Sequence, residues 1–552
     1  MRLAVIESIE KAFQTLSAAE GWEISLPEQM DLSAPKEEKF GDFSTNLAMI
    51  LAARLKLKPR DIAQKLAEKL KENDIFESVE IAGPGFINFR LRPIRWAQAL
   101  DRIFSEKENF GRVDHGKGEK VMVEFVSANP TGPLHIGHGR GAAVGDALAS
   151  VLEWAGYDVT REYYTNDVGL QMDNLGRSTL IRARRQAGLE ADEEPPYKGE
   201  YMNDVARAFL EKHGASILTG PEDAALTAAR EFSAANILDG IKKDLADFNV
   251  RFDIWYSEKS LHDGGAVDEL IRLFLAQGYI YEKEGALWLK TGDEGDEKDR
   301  VVRRANGVTT YLAADIAYHK TKLDRKFSTL VNIWGADHHG YVPRMKAVIS
   351  ALGGDPEKLV VRLVQLVSLK KGGETFAMST RSGVFTTLRE ILDEVGVDAT
   401  RYFFLMRSPD SQMEFDVDLA KKESSENPVY YVQYAHARCC NIFAMASQKG
   451  VAEPAPGAVD AALLCGQDEI RLIRKLLELP EVVRICARGF QSHQITQYLA
   501  EVAGLFHYFY KHNRVVGEDP ALTAARMWLI RAVQITLSNG LRILGITAPE
   551  KM

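Results

Sequence analysis

The stretch that most constrains the fold is residues 119–145, where three different local patterns follow one another. Residues 121–126, Val-Met-Val-Glu-Phe-Val, form an apolar run with one carboxylate, Glu124, which predicts a buried strand. Residues 129–133 contain two prolines and a glycine, which neither a helix nor a strand tolerates. A helical pattern begins at His135. A strand, a tight loop and a helix N-terminus in this order are typical of a nucleotide-phosphate site.

Two histidines open the predicted helix. His135 and His138 are three residues apart and therefore lie on one helix face, where both can donate hydrogen bonds to a phosphoryl group in a transition state. Glycines at nearby positions would let a ligand approach the backbone closely: Gly137, Gly139 and Gly141. Half of a zinc site and an ordinary helix surface are the alternative interpretations, although no thiolate or further ligand spacing lies nearby.

Residues 128–138 resemble the first signature motif of the class I aminoacyl-tRNA synthetases. The overlapping Val-Glu-Phe-x-Ser-x-Asn-Pro, residues 123–130, resembles the arginyl-tRNA synthetases in particular. The resemblance implies that ATP is a substrate and that the two histidines stabilise a pentavalent phosphorus centre. The implied ATP contacts are Pro133, His135, Gly137, His138, Gly139, His338 and Met378.

Further carboxylates stand at predicted strand or helix ends, and we expect them to surround one crevice together with Glu124. Asp315 lies four residues after Tyr311, where a strand edge runs into a helix, and Asp337 follows a predicted strand. A guanidinium has five donors and no acceptor, so its recognition calls for carboxylates with a carbonyl or hydroxyl. Each acid taken singly could instead cap a helix. The resemblance implies that arginine is contacted by Glu124, Asn129, Tyr311, Asp315 and Asp337, with Glu258 as a further candidate of the same kind.

The second class I motif, usually Lys-Met-Ser-Lys-Ser, corresponds to residues 376–383, Phe-Ala-Met-Ser-Thr-Arg-Ser-Gly. Both lysine positions are changed, to Ala377 and Thr380, so another cation must balance the pyrophosphate charge. We expect the arginine of this motif and the lysine of the first strand to share that role, with Lys370 and Lys371 as alternatives. The expected catalytic residues are His135, His138, Lys120, Ser379 and Arg381.

The predicted fold class is α/β. It comprises a doubly wound parallel (Rossmann-like) catalytic domain, a small N-terminal α/β domain and an all-α C-terminal bundle. Strand patterns that alternate with helical stretches predict the parallel sheet, with its site at the strands' carboxyl ends; they lie at residues 158–164, 250–255, 286–289, 301–304 and 330–335. The predicted boundaries are 1–110 for the N-terminal domain, 111–390 for the catalytic domain with a helical insertion at about 171–250, 391–426 for a connecting region and 427–552 for the bundle.

Two segments resemble tRNA-binding parts of the arginyl-tRNA synthetases. Residues 39–46, Lys-Phe-Gly-Asp-Phe-Ser-Thr-Asn, resemble their extra N-terminal domain, and residues 429–438 resemble the entry helix of their anticodon-binding bundle. Aromatic side chains stack on splayed bases and arginines meet phosphates, so Tyr434 and Arg438 are the expected tRNA contacts. Aromatic residues at this spacing are also typical of a helical core. Residues 428–552 hold 13 Lys and Arg against 10 Asp and Glu, although the whole chain has a net charge of −9.

The composition and the cysteine spacing predict the cellular compartment of the protein. No apolar run approaches the roughly 18 residues of a membrane span, and the N-terminus has acidic residues early, unlike a signal or transit peptide. The four cysteines lack Cys-x-x-Cys spacing and stand in apolar helical patterns: Cys439, Cys440, Cys465 and Cys486. These features predict buried thiols in a reducing cytoplasm, with neither disulfides nor zinc.

The leading hypothesis is an arginine–tRNA ligase that forms arginyl-adenylate and transfers arginine to the 3′ end of its tRNA. The expected partners are tRNA, L-arginine and ATP, with Mg²⁺ accompanying ATP; no permanently bound cofactor, metal or membrane is expected, and the chain is expected to be a monomer. One alternative is a nucleotidyltransferase that builds a cofactor, although it would need no long helical C-terminal segment. Another is a tRNA-binding paralogue without catalysis, because the second motif is altered.

Overall fold

The computed structural model describes residues 1–27, 30–35, 37–292, 298–376, 386–455 and 457–552. The N-terminal elements are α1 (Arg2–Glu20), β1 (Phe43–Thr45), α2 (Leu47–Leu55), α3 (Pro59–Leu70), β2 (Phe76–Ala82) and β3 (Phe86–Leu91). The three strands form an antiparallel sheet in the order β1-β3-β2. Ile62, Leu66 and Leu70 recur at helical spacing along α3 and are buried, because this face packs against α1 and β2.

Two short helices, α4 (Pro93–Gln98) and α5 (Asp101–Glu106), lead into the central unit. Its first part contains β4 (Lys120–Glu124), α6 (Ile136–Trp154), β5 (Asp158–Thr165), α7 (Leu170–Gln186), α8 (Tyr201–His213), α9 (Glu222–Asp247), β6 (Ile254–Ser257), α10 (Glu258–Asp263) and α11 (Ala266–Ala276). Its second part contains β7 (Ile280–Lys283), β8 (Ala286–Leu289), β9 (Arg300–Arg303), α12 (Tyr311–Asp324), β10 (Thr329–Gly335), α13 (Val342–Ala351) and β11 (Leu359–Val364).

Five of these strands form one parallel sheet in the order β11-β10-β4-β5-β6. Val121, Met122 and Val123 of β4 are fully buried, as expected for a strand that is covered on both faces. The chain proceeds from β4 to one edge through β5 and later fills the other side with β10 and β11. The direction therefore reverses between β4 and β10, and ligands of such sheets bind at that point, beyond the strands' carboxyl ends. The predicted doubly wound sheet is confirmed.

Two strands that were assigned to this sheet from sequence do not belong to it. β8 and β9 join β7 in a separate antiparallel sheet of order β7-β8-β9. Only Glu284 and Gly285 connect β7 to β8, and both have positive φ, 54° and 75°. Such a two-residue turn returns the chain directly beside itself, so β8 pairs with its neighbour in sequence.

The remaining chain carries the connecting region and the bundle. Its elements are β12 (Val367–Lys371), β13 (Glu374–Phe376), α14 (Leu388–Val395), α15 (Val397–Leu405), β14 (Met413–Asp416), α16 (Val417–Ala420), α17 (Pro428–Gln448), α18 (Gln467–Leu476), α19 (Leu479–Gly489), α20 (His493–His512) and α21 (Pro520–Ile543). Phe506 and Phe509 of α20 are buried in the bundle core, which confirms an all-α packing unit. Within the described ranges, no helix is both long enough and apolar enough to cross a membrane.

The thiols are not all buried as the sequence predicts. Cys439 and Cys486 are buried on inward helix faces, and Cys440 is partly exposed. Cys465 is exposed because it follows a short 3-10 turn, residues 461–464, and does not belong to a helix face.

One buried cation joins three parts of the molecule. The guanidinium of Arg401 in α15 donates to the Asp146 carboxylate of α6 at 2.6 Å. It also donates to the carbonyl oxygen of Leu544, after α21, at 2.9 Å and to that of Phe248, after α9, at 3.0 Å. Helix α6, the helical insertion and the end of the bundle are therefore held by a single side chain.

Replacing Arg401 by Met is expected to lower the free energy of unfolding by about 3–5 kcal/mol, because it leaves the buried Asp146 without its closest partner. Urea unfolding followed by tryptophan fluorescence measures the change. The matched control is Arg102→Met, which breaks a solvent-exposed pair with Glu106 and should cost less than about 1 kcal/mol. Equal costs for the two variants would contradict the assignment.

Candidate active site

The crevice lies beyond β4 and β10, where the strand order reverses. Glu124, the last residue of β4, is the register partner of Asn332 in β10. Both side chains are buried although they interrupt apolar strands. A buried polar group is stable only with hydrogen-bonding partners, so the neighbours of these two residues define the site.

Lys322 of α12 supplies the partner for both. Its Nζ lies 2.5 Å from Glu124 Oε2 and 3.1 Å from Asn332 Oδ1, and the side chain is completely buried. The Ser127 hydroxyl donates to the other carboxylate oxygen, Glu124 Oε1, at 3.0 Å. The Glu124 carboxylate is therefore held through both of its oxygens.

Two more acidic side chains, Asp315 and Glu258, belong to this crevice. Burial raises the pKa of Asp315 to about 7; the Tyr341 hydroxyl that donates to it opposes the shift, and nearby negative charges add to it. Burial likewise raises the pKa of Glu258 to about 7, against the opposing hydrogen bond from Tyr164 at 2.8 Å. Each carboxyl group is therefore partly protonated near neutral pH.

The charges of Glu258 and Glu124 both act on Asp315, so the three carboxyl groups form one electrostatic cluster. An incoming cation would stabilise their ionised forms, displace the protons and gain charge-assisted hydrogen bonds. The crevice is chemically suited to a cation that carries several N–H donors.

His135 and His138 lie at the start of α6, the helix that follows β4. His135 Nδ1 accepts from the backbone N–H of His138, and His138 Nδ1 accepts from the backbone N–H of His135, each at 3.3 Å. The two rings are stacked with centroids 3.6 Å apart. These reciprocal bonds explain why the helix begins here, because they satisfy N–H groups that lack partners within its first turn.

Burial lowers the pKa of both histidines, for His138 to about 3, where the adjacent His135 adds to the shift. Both rings are therefore neutral at pH 7. Because each Nδ1 accepts a hydrogen bond, the proton of each ring is on Nε2, from which it can be donated to an anion. Two neutral donors at a helix N-terminus favour a phosphoryl group.

Gly139 has a packing role beside these donors. A Cβ on Gly139 would lie 2.7 Å from the Leu388 side chain, so this position admits no larger residue without a shift. Main-chain hydrogen bonds also join Ile136 to Thr386 at 3.2 Å and Leu388 to Leu134 at 2.7 Å. The chain immediately after the second motif is thus paired with the first motif. Three predicted site residues of that second motif lie outside the described residues: Met378, Ser379 and Arg381.

Three other predicted site residues are exposed to solvent: Tyr311, Asp337 and His338. Tyr311 begins α12, is 55% exposed and lies on the same helix face as Asp315. Asp337 and His338 follow β10 on an exposed 3-10 turn, and Asp337 Oδ2 lies 3.7 Å from His338 Nε2. Asn129, in the loop after β4, donates through its side-chain amide to Gln171 Oε1 at 2.7 Å.

The structure does not bring Lys120 to the carboxyl end of β4, where Glu124 lies, and this placement argues against a share in balancing the pyrophosphate charge. Lys120 is the first residue of β4, whereas Glu124 is the last. At about 3.3 Å per strand residue the backbones of Lys120 and Glu124 are roughly 13 Å apart, at opposite ends of β4. The alternatives are engaged elsewhere: Lys370 pairs with Asp416 at 3.2 Å and Lys371 with Glu394 at 2.8 Å.

Tyr434 and Arg438, the expected tRNA contacts, lie one turn apart on α17. The Arg438 guanidinium donates to the Tyr434 hydroxyl at 2.9 Å and lies over the rings of Tyr434 and Tyr510, 4.5 and 5.2 Å from their centroids. All three side chains are at least partly exposed, unlike the core residue Phe506. They form a cation-aromatic surface that is chemically suited to single-stranded RNA.

Comparisons with known proteins agree with this geometry. The family model described as "tRNA synthetases class I (R), catalytic domain" matches residues 99–416. An arginine–tRNA ligase of Syntrophotalea carbinolica is 51% identical to this chain, covering 100% of the chain and 99% of the relative. The chain belongs to the arginyl-tRNA synthetase family.

Two further family models match the N-terminal and C-terminal parts of the chain. The "Arginyl tRNA synthetase N terminal domain" model matches residues 3–91, and the "DALR anticodon binding domain" model matches residues 432–552. An arginine–tRNA ligase of Citrifermentans bemidjiense is 50% identical over 100% of this chain and 99% of its own. The Thermus thermophilus arginyl-tRNA synthetase structure has the same fold, with a TM-score of 0.76, 24% identity and complete coverage of both chains.

Sequence reasoning missed several residues of the acidic crevice. Lys322 lies seven residues after Asp315, hence on the same face of α12, so helical periodicity could have identified it. Asn332 interrupts an apolar strand just as Glu124 does, which is a second available signal. Tyr164 and Tyr341 gave no such signal, because their hydroxyls reach the acids only through the tertiary fold.

Proposed function

We propose that this crevice activates arginine with ATP and then transfers the arginyl group to the 3′ end of its tRNA. The arginine carboxylate attacks the α-phosphorus of ATP, the bond to pyrophosphate breaks, and a terminal ribose hydroxyl of the tRNA then displaces AMP from the adenylate. ATP is proposed to bind as its magnesium complex. The observation that carries this proposal is the cluster of Glu124, Asp315 and Glu258, together with two neutral histidine donors at the start of the helix that follows β4. Pyrophosphate exchange into ATP that depends on arginine tests it, and exchange driven by another amino acid would contradict it.

The acidic cluster is assigned to the substrate's guanidinium. Three carboxyl groups around a planar fork can accept several of its five N–H donors, and burial strengthens each contact. The proposed arginine contacts are Glu124, Asn129, Tyr311, Asp315, Asp337 and Glu258. The exposed ring of Tyr311 stands at the entrance, where it would cover the bound amino acid.

The helix N-terminus is assigned to ATP. The Nε2 protons of His135 and His138 meet the phosphoryl oxygens as their charge grows, so catalysis here is positioning and charge stabilisation without a covalent enzyme intermediate. The proposed ATP contacts are Pro133, His135, Gly137, His138, Gly139, His338 and Met378. From the second motif, Ser379 and Arg381 are assigned to the leaving pyrophosphate.

His138→Ala is expected to lower kcat for arginine-dependent pyrophosphate exchange by about 10²–10³-fold, because a donor to the transition state is lost. His138→Gln keeps an N–H donor on a side chain of similar reach and should retain more activity. Initial rates at saturating ATP and arginine give both numbers. Equal losses for the two variants would contradict a role based on donation.

Arginine binding is expected to depend on pH through Asp315 and Glu258. Their pKa values of about 7 fall when the guanidinium binds, so affinity is full above pH 7 and declines as pH drops below it. The decline is at most about tenfold per pH unit for each coupled carboxyl group. Isothermal titration calorimetry measures Kd, and repeating it in buffers of different ionisation enthalpy counts the protons released.

A matched variant is Tyr341→Phe. The Tyr341 hydroxyl holds the pKa of Asp315 down, so its removal should move the pH at which arginine affinity declines to a higher value. An affinity that stays constant from about pH 6 to pH 8 in both proteins would exclude this coupling.

The cation of the second motif is tested by a pair of alanine variants. Arg381→Ala should lower the pyrophosphate-exchange rate by about tenfold or more, because a charge-assisted contact to the leaving group is lost. Lys120→Ala should leave the rate unchanged, since Lys120 lies at the amino end of β4, opposite the end that carries Glu124. A loss of rate in both variants would instead support the expectation that Arg381 and Lys120 share the pyrophosphate charge.

We assign tRNA contact to the two flanking parts of the chain, within the boundaries 1–110 and 427–552, and catalysis to 111–390. Tyr434 and Arg438 are the proposed contacts of the bundle. Free cysteines, two of them buried, fit a reducing cytoplasm, and the chain is proposed to act there as a monomer.

A further inference from the structure

The loop after β4 has an unfavourable backbone conformation. Val126 and Ser127 have φ values of 68° and 41°, in the left-handed region that residues other than glycine rarely adopt. A β-branched residue such as valine is especially disfavoured there. These two residues lie between Glu124 and Asn129, so the left-handed turn determines how the Glu124 and Asn129 side chains are placed relative to each other.

Three side chains from outside the loop hold it in this conformation. The Tyr163 hydroxyl of β5 donates to the carbonyl oxygen of Ala128 at 2.8 Å, and the Tyr201 hydroxyl of α8 donates to that of Thr131. Gln171 of α7 accepts from the side-chain amide of Asn129 at 2.7 Å. The loop is thus attached at consecutive points to the central sheet and to the helical insertion.

The first of these attachments is rigid. Tyr163 is completely buried, and its ring contacts those of Trp255 and Phe252, with centroids 4.5 and 5.3 Å apart. A side chain packed in this way cannot follow the loop if the loop relaxes, so relaxation would break the hydrogen bond to Ala128.

We propose that Tyr163, Gln171 and Tyr201 are positioning residues that hold the strained loop so that Asn129 and Glu124 meet the arginine substrate. This inference rests on the proposed contact between Asn129 and arginine. It gives the helical insertion a specific task, because Gln171 and Tyr201 belong to it. If they were released, the loop would relax to negative φ and Asn129 would leave the pocket, while His135 and His138 would keep their own mutual hydrogen bonds.

The test uses variants that each lack one of the hydrogen-bonding groups that hold the loop. Tyr163→Phe and Tyr201→Phe should each raise KM for arginine by about 3- to 10-fold in pyrophosphate exchange, with KM for ATP unchanged. Gln171→Met should act in the same direction. The control is Tyr402→Phe, which removes an equally buried hydroxyl-to-carbonyl bond, to Thr496, and should change neither KM. An equal rise in both KM values, or a loss of thermal stability with both KM values unchanged, overturns the proposal.

A second variant tests the strain itself. Glycine adopts positive φ without steric cost, so Val126→Gly should restore part of the arginine affinity lost in the double variant Tyr163→Phe/Tyr201→Phe. Failure to restore any of it overturns the role of strain.

Asn129→Ala separates this inference from the assigned pocket. A raised KM for arginine in Asn129→Ala, with an effect that is not additive with Tyr201→Phe, supports both. An unchanged KM in Asn129→Ala removes the proposed arginine contact and this inference with it. A raised KM in Asn129→Ala with unchanged tyrosine variants overturns this inference alone.

Discussion

The Glu124 carboxylate and the Lys322 ammonium, 2.5 Å apart and shielded from water, form the interaction on which the crevice depends. Either charge alone in this position would cost several kcal/mol of desolvation, so each requires the other. Lys322 also donates to Asn332, which ties α12 across the carboxyl ends of β4 and β10. The position of Asp315, on the same face of α12, follows from this attachment.

Burial acts in opposite directions on the two halves of the site, and both effects lower its charge. It raises the pKa of Asp315 and of Glu258, so these acids are partly protonated, and it lowers the pKa of His135 and of His138, so the imidazoles are neutral. The crevice therefore avoids much of the energy of burying unpaired charge. The charges of the proposed reaction arrive with the substrates, a cation at the acids and a polyphosphate at the helix N-terminus.

The loop that joins the two halves is strained. Left-handed backbone at a residue other than glycine costs on the order of 1–3 kcal/mol, and both Val126 and Ser127 adopt it. A neutral hydrogen bond contributes about 0.5–1.5 kcal/mol, so the bonds from Tyr163, Gln171 and Tyr201 are together of the right size to offset that cost. In this proposal the helical insertion supports the arginine pocket through Gln171 and Tyr201.

Local sequence patterns are enough to predict many of the strands and helices and the functional side chains at their ends. The apolar run of β4, the breaker segment and the paired histidines were sufficient to predict a phosphate site at the start of α6, and a resemblance over these residues predicted the family. Acids at strand and helix ends stand out against apolar neighbours, which singled out Glu124, Asp315 and Asp337, and the resemblance added Glu258 as a further candidate. The three-dimensional packing is needed to establish which elements are in contact. It moved β8 and β9 into a separate sheet, since a two-residue turn outweighs strand periodicity, and it removed Lys120 from the site, since one strand has two ends. Contacts such as Lys322 with Glu124, 198 residues apart, depend on how helices cross the sheet, and no local pattern records that distance.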